Sequence, residues 1–163
     1  MRTLWLTGMM GAGKSTVAPL VAERLGRAWH DTDRMVEQRS GETVGALFER
    51  GEEAFRREEA AAVRSVAGAP VVVACGGGVV LDDALIADMR GGGVIVWLRV
   101  PLGVLSARSV PDRPLLREDP EALGRILRER EDRYRAAADA VVDGAGPAAE
   151  VADRVVEAWS ISS

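Results

Sequence analysis

This sequence predicts an α/β fold in which a parallel β-sheet is covered by helices on both faces. Three observations predict it. Short β-branched apolar runs alternate with helix-like segments along the whole chain. Two of those runs, PVVVAC at 70–75 and VIVWL at 94–98, carry no polar face, as befits strands buried on both sides. The first apolar run leads directly into a glycine-rich loop that opens a helix, and in open α/β sheets ligands bind beyond the C-terminal ends of the strands.

The elements follow in order. Residues 2–7 form the first strand and end in the glycine loop. Residues 15–25 place Val17, Leu20, Val21 and Leu25 at helical spacing, and Gly26 stops that helix. Residues 28–30 are a brief strand ahead of the acidic pair in DTD. Residues 34–66 are helical and highly charged, broken at Gly41 and Gly51. After the strand at 70–75, a helix is expected over 82–90, with glycines 91–93 as its termination and turn, and then the strand at 94–98. A short helix starts at Leu102. Residues 110–120 hold three prolines and many charges and read as a loop. A long polar helix over 121–138, a last strand at 140–142 and a last helix at 148–159 complete the chain.

Composition narrows the function classes. The 163 residues suit one domain, and no linker or repeat divides them. Net charge is −4 with no basic block, which disfavours nucleic acid and anionic membranes as partners. The single cysteine, Cys75, permits neither an internal disulfide nor a cysteine zinc site, and a reducing cytoplasm fits. The N-terminal apolar run is too short for a signal peptide or a membrane span. Lys14 is the only lysine among 21 Lys and Arg residues. In a chain that otherwise uses arginine, that makes its position informative.

The stretch GMMGAGKST, residues 8–16, fits G-x-x-x-x-G-K-[ST] between a strand and a helix. Backbone amides of Gly11, Ala12, Gly13, Lys14, Ser15 and Thr16 can wrap phosphate oxygens, helped by the helix N-terminus. Lys14 can reach the β- and γ-phosphates, and the Ser15 hydroxyl suits Mg²⁺. Asp31 and Asp33 in WHDTDRM follow a strand beside that loop; one carboxylate can serve Mg²⁺ and the other an acceptor hydroxyl. With glycines after the 70–75 strand where an acidic residue often stands, Asp31 is the carboxylate left for the metal. The bland alternative is Asp33 as a helix cap. Gly76, Gly77 and Gly78, at the ligand-binding edge, allow close approach of backbone to a ligand. Spacing alone reads Arg56 and Arg57, and Arg133 and Arg135, as charge pairing on exposed helices. Arg113, in its proline-bounded loop, suits a lid closing over phosphates.

In this order and spacing GMMGAGKST, DTD, FRREE, GGG, RPLL and YR resemble shikimate kinase, over essentially the whole chain. The resemblance implies a P-loop, nucleoside-monophosphate-kinase-like three-layer sandwich with a five-stranded parallel sheet. It implies one domain over 1–163, a helical substrate-binding region over about 32–61 and a lid over about 109–120. It implies a monomer that transfers the γ-phosphoryl group of ATP, with Mg²⁺, to the 3-hydroxyl of shikimate, in the pathway to chorismate and aromatic amino acids. Carried over residue by residue, Lys14 contacts the transferred phosphoryl group, and Ser15 and Asp31 serve Mg²⁺. Asp33 binds shikimate hydroxyls and acts as base. Arg56 and Arg135 grip the substrate carboxylate beside Gly77, Arg113 reaches the ATP phosphates, and Arg108 lies along the adenine. The stretch VDGAGPAAE lacks the basic residue some members place by the adenine, so only a moderate preference for ATP over GTP is expected. Two rivals remain: a gluconate kinase of the same fold, and an ATP-binding module without catalysis.

Overall fold

Five parallel strands in the order β2-β3-β1-β4-β5 carry the molecule. The computed structural model describes residues 2–108, 119 and 121–163. The strands are β1 Thr3–Thr7, β2 Ala28–Asp31, β3 Val71–Ala74, β4 Gly93–Arg99 and β5 Ala140–Asp143. β1 is central and buried throughout, with Leu4 opposite Val72 on one side and Val94 on the other. A strand hydrogen-bonded on both edges and packed on both faces favours apolar residues, which is why these runs do not alternate; Thr3 and Thr7 at the ends of β1 satisfy their buried hydroxyls on backbone carbonyls.

The helices are α1 Lys14–Leu25, α2 Thr32–Ser40, α3 Val44–Glu49, α4 Glu52–Val66, α5 Asp83–Gly92, α6 Leu102–Ala107, α7 Ala122–Ala137 and α8 Ala148–Ser162, with a 3₁₀ turn at Val79–Leu81. Right-handed crossovers running to opposite sides of β1 put helices on opposite faces. Hence α1 and α8 pack together on one face, while α5, α6 and α7 take the other. The main core fills both layers around Trp5, Ile95 and Trp97, and Trp5 satisfies its buried indole N–H on the Met89 carbonyl at 3.0 Å. A second apolar cluster of Val36, Leu47, Phe55 and Ala62 ties α2, α3 and α4 to one another.

The breaks fall where glycine allows them. Gly41 ends α2 at φ 71°, and Gly51 precedes α4 at φ 124°. The first of these helices starts earlier than the apolar pattern suggests, because the Asp31 side chain accepts from the amides of Asp33 and Arg34 and caps it. The expected turn at glycines 91–93 is corrected. Gly91 and Gly92 complete α5, and Gly93 begins β4 with no intervening turn. A Cβ on Gly93 would overlap the Thr3 carbonyl oxygen, so this glycine serves close strand packing rather than a left-handed bend. Arg113 and the lid expected over 109–120 lie outside the described residues, apart from Asp119.

Candidate active site

The C-terminal ends of β1, β2 and β3 open onto one cavity of about 640 Å³. From β1 comes the glycine loop, whose Gly8, Gly11 and Gly13 have φ of 145°, 81° and 92°. L side chains rarely adopt these values, so the loop depends on glycine. Gly13 caps α1 without any side-chain bond. Lys14 is the first residue of α1 and folds back over its own loop, donating to the carbonyls of Gly8 at 2.6 Å and Met9 at 2.8 Å.

β2 ends on Asp31, whose two oxygens have different partners. Oδ2 accepts from the Ser15 hydroxyl at 2.7 Å, and Oδ1 accepts from the Asp33 amide at 3.0 Å. The capping role that sequence offered to Asp33 therefore belongs to Asp31. Asp33 sits in the first turn of α2 with its carboxylate in the cavity. Burial raises its pKa, the charge of Asp31 raises it further, and Lys14 and Arg56 pull it down.

α4 contributes Arg56 and Glu59, one helical turn apart. Arg56 donates to Glu59 Oε1 at 2.7 Å, and Glu59 is only 1 % exposed. Among the described residues its Oε2 has no hydrogen-bond partner. Burial raises the Glu59 pKa against the opposing pull of Arg56. After β3, Gly76, Gly77 and Gly78 form the floor. A Cβ on Gly78 would overlap the Arg56 guanidinium, so that glycine makes room for a protein side chain as well as for a ligand. Cys75 beneath them is fully buried, and burial drives its thiol pKa up, so it is not a nucleophile.

Of the residues singled out by sequence, Gly11, Gly13, Lys14, Ser15, Thr16, Asp31, Asp33, Arg56, Gly76, Gly77 and Gly78 all line this cavity. Ala12 and Arg108 lie instead on an adjoining cavity of about 480 Å³, which shares Gly11, Gly13 and Thr16 and extends to Gly144, Gly146 and Ala148. Arg108 spans that second cavity, donating to the Gly11 carbonyl at 2.7 Å and the Gly144 carbonyl at 3.2 Å.

Arg135 is a correction. It faces away from the cavity, its guanidinium 5.4 Å from the Trp97 ring centroid and 3.7 Å from Glu131. Arg130 lines the cavity in its place. Helical geometry gives the reason. Tyr134 is fully buried, so the residue four before it shares its inward face and the residue one after it is turned about 100° away. The R-x-x-x-Y spacing within REREDRYR, residues 128–135, is the available signal, as Arg130-Glu131-Asp132-Arg133-Tyr134. Glu59 was also missed, although its place three residues after Arg56 puts both on one helix face.

The donor set fits a magnesium ion. A serine hydroxyl and a carboxylate stand side by side at the phosphate loop, both hard oxygen donors. Among the described residues no cluster of three or more His, Cys, Asp or Glu could hold a metal by itself. Two protein oxygens beside a phosphate site are the arrangement in which Mg²⁺ keeps waters and binds through nucleotide phosphates.

Comparison with known proteins gives one consistent picture. A family model described as shikimate kinase matches residues 10–160. A shikimate kinase of Geobacter sulfurreducens is 42% identical over 155 residues, covering 91% of this chain and 85% of its own. One from Moorella thermoacetica is 45% identical, covering 94% and 91%. The solved structure of shikimate kinase from Acinetobacter baumannii in complex with shikimate superposes with a TM-score of 0.88 at 32% identity, over 96% of this chain and 92% of that one. A gluconokinase from Sinorhizobium meliloti, with a TM-score of 0.67 at 20% identity over 98% and 92%, shares the fold.

Proposed function

The chain belongs to the shikimate kinase family, and from that premise we propose how its own residues carry the reaction. Its activity is that of a kinase acting on shikimate, with ATP as phosphoryl donor. The observation that carries the residue assignment is the single cavity in which Lys14, Asp33, Arg56 and Arg130 meet.

The two arginines and Asp33 divide the acceptor's chemistry. Arg56 and Arg130 offer planar forks of donors that match the shikimate carboxylate. Asp33 accepts from the ring hydroxyls and takes the proton of the 3-hydroxyl. That oxygen bonds to the γ-phosphorus while the bond to the β-phosphate oxygen breaks, giving shikimate 3-phosphate and ADP. The raised pKa of Asp33 keeps a proton acceptor of useful basicity close to the reacting oxygen. Lys14 leaves its loop carbonyls to meet the β- and γ-phosphates, and Arg113 adds charge from the lid. Ser15 and Asp31 would hold Mg²⁺, which neutralises phosphate charge when bound. Arg108 and the glycines after β5 receive the base.

In this reading residues 1–163 form a single kinase domain, with residues 32–61 on the acceptor side and 109–120 as lid, working as a monomer in the cytoplasm. Support for the monomer is that residues of one chain line both cavities. An ADP-release assay with shikimate, with gluconate and with no acceptor tests the reading. Turnover is expected with shikimate alone. Turnover that prefers gluconate, or that needs no acceptor, would sink it.

A further inference from the structure

Tyr134 is the one tyrosine of the chain, and its side chain is fully buried. Its ring stacks on Trp97 with centroids 5.7 Å apart and planes 18° apart, which fixes where the hydroxyl points. The hydroxyl donates to the carbonyl of Gly77, the middle glycine of the cavity floor. Beside it lies the Arg130 guanidinium: Arg130 Nη1 and the Tyr134 oxygen are 3.4 and 3.5 Å from the point where a Gly77 Cβ would stand. Met9 Sδ, in the phosphate loop, is 3.9 Å away. Arg133, on the same helix, donates to the carbonyls of Val80 and Leu81 and pins α7 to the turn after the glycines.

We infer that Tyr134 is a positioning residue for the acceptor: its hydroxyl sets the Gly77–Gly78 peptide and the Arg130 guanidinium together, and so shapes the shikimate site without touching shikimate. The inference rests on the acceptor assignment above. In a trans peptide the C=O and the following N–H point opposite ways. Tethering the Gly77 carbonyl to the buried phenol therefore turns the Gly78 amide away from Tyr134, on the residue that adjoins Arg56. One hydroxyl thus controls both the floor and the second arginine of the carboxylate grip. The rest of the ring supplies packing, which a phenylalanine would keep.

Two measurements test this. Tyr134→Phe retains the ring and the Trp97 stack and removes only the oxygen. Loss of a buried hydrogen bond that holds binding groups predicts a rise in shikimate KM of about tenfold. The KM for ATP should stay within about twofold and kcat should fall less than the shikimate KM rises. If the hydroxyl serves only stability, Tm falls while the shikimate KM stays put, and the inference is overturned; equal rises in both KM values overturn it as well. The second measurement needs no variant. Protein grown with 3-fluorotyrosine gives a single ¹⁹F resonance, because there is one tyrosine. Saturating shikimate should move that resonance, and a resonance indifferent to shikimate counts against the inference. Wild-type turnover separates the two failures. If the wild type does not phosphorylate shikimate, the acceptor assignment falls. If it does and Tyr134→Phe leaves the shikimate KM unmoved, only this inference falls.

Discussion

At Lys14 the ammonium donates to two carbonyls of its own loop, at 2.6 and 2.8 Å, a pocket sized for a compact point charge. A guanidinium is broad and planar and fits poorly there. Lys14→Arg should therefore keep the fold, with Tm nearly unchanged, and lose kcat by at least ~100-fold in steady-state assays. Asp33 carries a different consequence. Its pKa is raised above the ordinary aspartate value of 3.8, first by burial and then by Asp31. The folded chain thus holds this proton to higher pH than the unfolded chain does. The stability this group contributes is full below the unfolded pKa and is lost as pH rises through the folded one. Asp33→Asn should accordingly raise Tm at neutral pH while lowering kcat by roughly 100-fold or more. The wild-type pH profile of kcat/KM for shikimate should fall on the acid side at a pH above the usual aspartate range, and Asp33→Asn should lose that limb. In the proposed reading Arg56 is a ligand group, and it is also the partner of a buried carboxylate. Arg56→Ala should raise the shikimate KM strongly and leave ATP binding nearly unchanged. It should also cost about 2–3 kcal/mol in denaturant unfolding, partly recovered by adding Glu59→Gln.

The elements differ in how plainly the sequence announces them. Strands buried on both faces were legible from their unbroken apolar runs, and the phosphate loop from fixed glycine spacing. Helix faces were harder. In α7 seven of the sixteen residues are arginine or glutamate, so charge alone cannot tell Arg130 from Arg135, and the buried Tyr134 sets the inward face. In α4 the same crowding hid Glu59, whose burial follows from tertiary packing rather than from local pattern. The two glycine triplets look alike in sequence and differ in what surrounds them. Gly91 lies in α5 with open space where a Cβ would go, whereas a Cβ on Gly93 would overlap the Thr3 carbonyl. Gly91→Ala should stabilise by about 0.5–1 kcal/mol through helix propensity. Gly93→Ala should destabilise by about 1–3 kcal/mol, because backbone in a central strand must shift. Equilibrium urea unfolding of the two variants checks both signs.

Across the whole molecule the two cavities meet at the phosphate loop. The cavity proposed to receive the base is lined among the described residues by glycines, alanines, valines, Thr16 and Arg108, with no acidic or amide side chain to read a base edge. ATP should be preferred over GTP by less than about tenfold in kcat/KM, since a pocket without paired donors and acceptors discriminates weakly. A strict ATP requirement would show that a feature outside this lining selects the base. The sheet order gives a wider consequence. β2 and β3 lie on one side of β1, and β4 and β5 lie on the other. In the proposed reading, and apart from the phosphate loop and the start of α1, which serve both cavities, residues for the acceptor come mostly from the stretch 28–81 and those for the base from 108 onward. Descent can therefore act on the halves separately: a lineage could trade one contiguous block of sequence and inherit a new acceptor while keeping its nucleotide half intact. On the proposed assignment Arg130 and Tyr134 are the outliers, encoded in the nucleotide half yet working in the other, and they would have to change in step with the exchanged block.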